Sequence, residues 1–269
     1  MSQTTTAEPK PADDRTPYRV RHETKRRRLI VRDIKKLTPH MTRVTVGGDE
    51  LAGFVSLGFD DHIKLFFPEA VSDERDVNGD PKPVSRDYTP RRYDAAANIL
   101  EIDFALHEAG PATRWAEQAR PGDVLNIGGP RGSLVIPTGY DWHLLIGDDT
   151  ALPAIGRRLA ELPQSARAIV LAEVDTAADE IPFEHSADAS ITWVHRNGAQ
   201  IGSPHRLTEA LRALALPNGD YYAWVACESA IAKALRAQLV ADKGANPKWL
   251  RAAGYWRRGA AAVHDTFND

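Results

Sequence analysis

The chain has 269 residues, 42% of them hydrophobic, and 34 Lys plus Arg against 37 Asp plus Glu give a formal net charge of -3. That size and apolar content suffice for two modest cores, and the near-balanced charge offers no global field to draw the protein to nucleic acid or anionic lipid. A single cysteine, Cys227, excludes an internal disulfide framework and a cysteine-cluster metal site, and fits a reducing cytoplasm.

In chain order, residues 1–17 are polar, carry Pro and Asp and lack a signal-peptide apolar segment, so a disordered tail is expected there. No apolar run approaches the length of a membrane span. The basic cluster Lys25-Arg26-Arg27-Arg28 runs straight into the first strand pattern with no interleaved aromatic residue, which argues against a nucleic-acid arm. From Arg27 to Val46 apolar positions alternate, with Leu29 and Val31, then Val44 and Val46, set against Arg32, Arg43 and Thr45. Further short strands are expected at Ile63–Phe67, Arg86–Tyr93, Ile99–Leu106 and Val124–Ile127, while Val71 to Ser85, with Asn78-Gly79, Pro81 and Pro83, reads as an extended loop. This spacing predicts an antiparallel β-barrel over residues 18–138.

After Pro137 the rhythm changes. Strand patterns at His143–Ile146, Ile169–Val174, Ile191–His195 and Tyr222–Ala226 alternate with helical ones at Leu207–Leu214 and Ala230–Leu239. Residues 139–269 are therefore expected to form an α/β domain around a parallel sheet, with a basic C-terminal segment.

Three segments of the first half carry chemistry. In Arg86-Asp87-Tyr88-Thr89, strand alternation puts Arg86 and Tyr88 on one face and Thr89 on the other, so a cation, an aromatic ring and a hydroxyl can meet different parts of one large ligand. In the run from His107 to Ala116, Gly110 permits a close approach, Pro111 suits the first helical position, and the free N–H groups of Ala112 and Thr113 would face an anion such as a pyrophosphate. The third, Pro121 to Gly132, reads as a turn, a strand and a Gly-rich turn. In the second half, Gly147-Asp148-Asp149-Thr150-Ala151-Leu152-Pro153 follows the first parallel strand, where open α/β sheets bind nucleotides, and no G-x-G-x-x-G is present. Glu173 and Asp175 near the end of the second strand suit a ribose, Arg196 after the third suits a 2′-phosphate, and these cues leave NADH or NADPH open. Cys227 ends the fourth strand and reads as a small packed thiol. No protein metal-ligand cluster is evident.

Together and in this order, these segments resemble the ferredoxin-reductase superfamily of FAD barrels followed by nicotinamide domains. More narrowly, the chain resembles the siderophore-interacting protein family through Leu37-Thr38-Pro39-His40-Met41, Asp61-His62-Ile63-Lys64-Leu65, Arg86 to Arg91, His107 to Ala116, Gly129-Pro130-Arg131-Gly132-Ser133, Gly147 to Ala154 and Gly254-Tyr255-Trp256-Arg257-Arg258-Gly259. The resemblance implies a Greek-key FAD barrel with Arg86 near the pyrophosphate, Tyr88 against the ring system and Thr89 near its reactive edge. Asp103, Phe104, His107, Gly110, Pro111, Ala112, Thr113 and Trp256 would complete the FAD site. Asp148, Thr150, Ala151, Glu173, Arg196 and Cys227 would meet the nicotinamide nucleotide. Lys64, Arg257 and Arg258 would dock an anionic ferric siderophore, catecholate or mixed. The implied reaction passes a hydride from NADH or NADPH to FAD and then single electrons to Fe(III), with no catalytic protein acid, base or nucleophile. A general flavin or ferredoxin reductase and a non-catalytic siderophore carrier are the alternatives.

Overall fold

The computed structural model describes residues 15–75, 79, 81–106, 110–203, 205–260 and 265–267, without the side chains of 68–74, 81 and 82. His107 and residues 1–14 lie outside the described residues. Residues 15–17, inside the expected tail, are among those described. Arg15 donates to the Gly139 carbonyl (2.8 Å) and to Asp220 (2.6 Å) and Asp141 (3.1 Å), which ties residue 15 to the second half of the chain.

β1 (Tyr18–Arg21) is followed by the hairpin of β2 (Arg26–Thr38) and β3 (Met41–Gly47), then by β4 (Ile63–Arg75), β5 (Pro81–Tyr88), β6 (Arg92–Asp94) and β7 (Ile99–Ala105). Helix α1 (Pro111–Gln118) then leads to β8 (Val124–Gly128) and to β9 (Gly132–Val135), which pairs with β1. The other seven strands form one antiparallel sheet in the order β5-β4-β8-β2-β3-β7-β6. Its inner face is mostly apolar: Leu29, Val31, Val44, Ile63, Leu65, Ile102 and Ile127 are each at most 1% exposed, and Arg27 and Arg86 join them on that face. At about 1.5–3 kcal/mol per buried side chain, this alternation fixes which face turns inward, because a one-residue slip would expose every one of them.

The expected loop at Val71 to Ser85 is a correction. β4 continues to Arg75, and β5 begins at Pro81 with Val71 paired to Pro83 and Arg75 to Pro81. Proline lacks a ladder donor, but β5 is the sheet's edge strand, where that loss is tolerated. The strand expected over Arg86–Tyr93 is instead two, since β5 stops at Tyr88 and β6 starts at Arg92. Pro90 supplies no N–H there and restricts Thr89 before it.

The second half contains β10 (Trp142–Gly147), α2 (Leu152–Glu161), β11 (Arg167–Val174), β12 (Asp188–His195), α3 (Arg206–Ala213), β13 (Tyr221–Glu228), α4 (Ser229–Asp242), β14 (Leu250–Trp256) and β15 (Asp265–Phe267). Five strands are parallel, and β15 closes the order β12-β11-β10-β13-β14-β15 antiparallel to β14. Trp256 thus ends the last parallel strand, and the strand after it was not expected. β10 and β13 are buried throughout, as central strands covered on both faces must be. The chain winds from β10 out to β12 and returns on the other side of β10 with β13. Their carboxyl ends form the switch-point crevice. Among the described residues, no helix is long and apolar enough to cross a membrane.

The two sheets share a seam. Met41 and Phe59 of the barrel half pack in one apolar cluster with Leu145, Ile155 and Trp224. Two arginines of α2 are buried against barrel carbonyls: Arg157 donates to the Pro90 and Ser56 carbonyls and the Ser56 hydroxyl, and Arg158 to the carbonyls of Ile136 and Pro137. Asp60 accepts from Arg251 Nε (2.6 Å) and Trp224 Nε1 (3.2 Å) across the same seam.

Candidate active site

On the barrel side, Tyr88 packs on Phe104 with ring centroids 4.5 Å apart, and Phe104 packs in turn on Trp115 at 5.6 Å. Phe104 is fully buried, so it backs Tyr88 from inside and is not itself a surface for a flavin. Asp103 is likewise occupied: Arg43 donates to both of its oxygens (2.7 and 2.9 Å) in a bidentate fork. Arg86 is half-buried, and among the described residues its one hydrogen bond goes to the neighbouring Ser85 carbonyl (2.9 Å). Helix α1 opens at Gly110 with Pro111 in its first turn, no side-chain cap and no acid there, so the N–H groups of Ala112 and Thr113 are open to an anion. Thr89 is buried at the seam and hydrogen bonded to Tyr255 of β14.

These features fit FAD. An uncapped helix start and a guanidinium that pairs with no carboxylate among the described residues suit a pyrophosphate, and the aromatic shelf of Tyr88 suits a planar ring.

On the sheet side, Gly147 ends β10 where a Cβ would lie 2.3 Å from that of Ala151 and 2.8 Å from the Ala226 carbonyl oxygen, so only glycine lets the turn close. Asp148 organises that turn, accepting from Thr150 N–H (3.0 Å) and hydroxyl (2.6 Å) and from Trp256 Nε1 (2.8 Å). Trp256 is therefore placed against the turn that follows β10. Of the residues expected to meet the nucleotide, Thr150 is the partly exposed one. Ala151 and Cys227 are fully buried, and burial pushes the Cys227 thiol well up, so it is a packed core group, closed to a ligand. Glu173 and Arg196 are buried as well. Arg196 pairs with Asp149 (2.7 Å) and Glu173 (3.7 Å), which spends its charge inside the protein.

The groups that face an opening are Asp175, Gly198 and Ile201 at the ends of β11 and β12, with the mostly buried Asp149–Arg196 pair forming part of the wall, opposed by His40 and Leu106 from the barrel. They line a cleft of about 200 Å³ between the two halves. His40 Nδ1 lies 2.9 Å from Asp179, and with Asp175 these two bring ligand atoms within 4.8 Å of one another. The sequence showed no such cluster because His40 stands 139 positions from Asp179. Asp179 is also bound by Thr176, so the cluster serves as an internally satisfied contact between the halves.

Burial raises the Glu173 carboxyl to about 7 and that of Asp149 to about 6, partly opposed by Arg196. A carboxyl whose folded pKa exceeds its unfolded value holds its proton more tightly in the native state. Its contribution to stability is complete below about pH 4.5 for Glu173 and is lost as pH rises through 7. Glu173→Gln is therefore expected to match the wild type near pH 4.5 and to be more stable above pH 7 by about 3 kcal/mol. Denaturant melts at both pH values check this, and equal stability differences at the two would refute it.

Of the expected substrate cations, Lys64 stands on the outer face of β4 and pairs with Asp87 (2.9 Å). It is opposite Arg86 and Tyr88, which pair with the inward Leu65 and Ile63. Because β5 is an edge strand, a single strand separates the two faces. Arg257 pairs with Asp265 (2.7 Å) and stays half exposed, while Arg258 donates to the carbonyls of Ile201 and Gly202.

An antiparallel barrel with an uncapped helix start, joined to a parallel sheet with its crevice at the seam, defines the ferredoxin-reductase type of two-domain flavoprotein fold. The ferredoxin reductase of carbazole 1,9a-dioxygenase shares that fold, with a TM-score of 0.65 at 16% identity over 84% of this chain and 66% of its own. Residues 30–134 match the family model of the siderophore-interacting FAD-binding domain, and residues 140–259 that of the siderophore-interacting protein. The chain belongs to the siderophore-interacting protein family. It is 36% identical to the NADPH-dependent ferric-chelate reductase of Escherichia coli over 90% of this chain and 97% of that protein. It is 33% identical to the ferric vibriobactin reductase ViuB of Vibrio cholerae over 84% and 87% of the two chains. A siderophore utilization protein from T. fusca superposes with a TM-score of 0.84 at 39% identity, covering 92% of this chain and 98% of its own.

Proposed function

We propose that the protein is a cytoplasmic ferric-siderophore reductase that draws electrons from NADH or NADPH, with FAD held by residues 18–138 and the nucleotide by residues 139–269. The observation that carries this reading is the seam itself: the Tyr88–Thr89 strand end meets Tyr255 of β14 beside the switch-point crevice. Two relatives named as ferric reductases support the same reading. Bound FAD would supply the conversion of a two-electron hydride donor into single electrons for Fe(III). Around it, Arg86 and the α1 start hold phosphate, Tyr88 supports the ring, and Asp148 fixes Thr150 and Trp256 at the nucleotide turn. Lys64 and Arg257 each retain solvent exposure beside a carboxylate, so an anionic, catecholate-type chelate competes for cations that are only partly neutralised.

Anaerobic stopped-flow separates the steps. The purified protein should be yellow, its flavin should bleach with nicotinamide nucleotide, and its colour should return with a ferric catecholate. Lys64→Ala and Arg257→Ala are expected to raise the KM for the anionic chelate severalfold, less at high salt, and to leave flavin bleaching unchanged. Equal loss in both half-reactions would remove these cations from the docking surface. A flavin that bleaches but is never reoxidised by any ferric chelate would overturn the reductase reading.

A further inference from the structure

The basic run Lys25 to Arg28 has no part in the sites above, yet the fold divides it sharply. Arg27 turns inward. It is 5% exposed, lies over the Phe54 ring at 5.3 Å and donates to the Gly129 carbonyl (3.2 Å). Arg26 and Arg28 remain exposed on the outer face of β2.

Register places them in two cross-strand rows. Gly128 of β8 pairs with Arg26 on one side and Lys64 on the other, and Asn126 pairs with Arg28 on one side and Phe66 on the other. Directly paired residues share a face, and strands stand about 4.8 Å apart. Arg26 and Lys64 therefore flank Gly128 at backbone separations of roughly 10 Å across three strands. Gly128 has no side chain to fill that row, and a Cβ there would approach the Phe66 ring to 3.2 Å. The Arg26 guanidinium lies 4.5 Å from the centroid of the same ring. Arg26, Arg27, Arg28 and Phe66 border a hollow of about 320 Å³, completed by Glu50, Pro83 and Asn126, with Lys64 outside its wall. Glu50 is engaged by the Arg28 backbone N–H (2.7 Å), and among the described residues no carboxylate pairs with the side chain of Arg26 or Arg28.

We propose that this hollow is a docking pocket for one aromatic, anionic arm of the ferric chelate, a proposal that rests on the reductase reading above. A ring sliding in beside Phe66 meets the flat face of the Arg26 guanidinium. Its ring oxygens meet Arg28 and the Asn126 amide, while Lys64 in the adjoining row faces the rest of the chelate. Stacking on a guanidinium favours a planar ligand, and Arg26 and Arg28, which among the described residues have no carboxylate paired to their side chains and outnumber the one acid lining the hollow, Glu50, favour a negative one. The volume suits a single arm of a small-molecule chelate and is far from the extended charged track that a nucleic acid needs.

The test uses flavin-loaded protein and two redox-inert anionic probes, gallium(III) tris(2,3-dihydroxybenzoate), which is aromatic, and gallium(III) tris(oxalate), which is not. Binding is read by calorimetry, with flavin absorbance and the rate of flavin reduction by nicotinamide confirming that each variant is intact. Phe66→Leu is expected to weaken the aromatic probe roughly tenfold and to leave the oxalate unchanged, whereas Arg26→Ala should weaken both, the aromatic one more. Arg26→Lys should restore oxalate binding but not the full affinity for the aromatic probe. Wild-type affinity in both Phe66→Leu and Arg26→Ala would overturn the pocket while leaving the reductase reading intact. Equal loss of both probes in Phe66→Leu would overturn the aromatic assignment. Failure of the wild type to bind either probe, together with no reduction of the iron analogues, would overturn the reductase reading and the pocket with it.

Discussion

Arg251→Ala is expected to lower the unfolding free energy by about 3–5 kcal/mol, because it strands a buried carboxylate. Asp60 has a side chain only 3% exposed, and Arg251 Nε sits 2.6 Å from its oxygen. Burial works against the Arg251 charge, but Asp60 beside it more than offsets this and raises the guanidinium pKa. Without the arginine, Asp60 keeps one hydrogen bond from Trp224 Nε1 and only the weaker, longer-range attraction of Arg158, which forms no ion pair with it. At this chain length the loss corresponds to a fall in Tm of roughly 6–20 °C. The pair joins barrel to sheet, so the damage should concentrate at the seam, and nicotinamide-driven bleaching of the flavin should slow before the barrel core melts. Asp60→Asn combined with Arg251→Met removes both charges and is expected to recover most of the stability, since burying neither ion avoids both desolvation costs. A melt of Arg251→Ala that coincides with the wild type would mean the pair is effectively solvated and not a clamp.

How much of this was legible in the sequence follows from what each pattern encodes. The strands β2, β3 and β7 alternate because one face is buried, and the apolar runs of β10 and β13 are continuous because both faces are. Both signatures survive in one dimension. The β4–β5 hairpin did not, because Pro81 and Pro83 read as breakers and their tolerance depends on β5 being an edge, which is a property of the whole sheet. The candidate site divides along the same line. Arg86, Tyr88, Thr89 and the α1 start are local arrangements, visible in four to eight consecutive residues. Glu173 and Arg196 were expected there because polar residues at strand ends face a crevice by default, and Cys227 only because the resemblance implies it, its own pattern reading as a packed thiol. Their burial comes from partners distant in sequence: Asp149 for Arg196, and the α3–α4 layer for Cys227. Asp60–Arg251 and His40–Asp179, separated by 191 and 139 positions, leave no trace in any local pattern.

Arg86→Ala is expected to raise the dissociation constant for FAD by roughly 10- to 100-fold, the consequence of losing a charge-assisted hydrogen bond to phosphate. Arg86 is half-buried on β5 and spends one N–H on the Ser85 carbonyl, which holds the guanidinium in place without neutralising it. The α1 start contributes N–H groups that lack a side-chain cap. Two donors of different kinds, one a full charge and one a helix terminus, would then share one diphosphate, and removal of the charge leaves the weaker of them. Arg86→Lys should recover part of the loss, because a point charge attracts the phosphate without the planar pair of N–H donors. Thr89→Val should cost less than Arg86→Ala, since a neutral hydrogen bond contributes about 0.5–1.5 kcal/mol, and some of its effect should appear as a looser seam through Tyr255. Flavin fluorescence on titration with apoprotein measures the constants, and repeating the titration at high salt should narrow the gap between wild type and Arg86→Ala. If Arg86→Ala holds FAD as tightly as the wild type, the diphosphate does not lie at the end of β5, and the uncapped start of α1 is left as its only anchor on the barrel among the described residues.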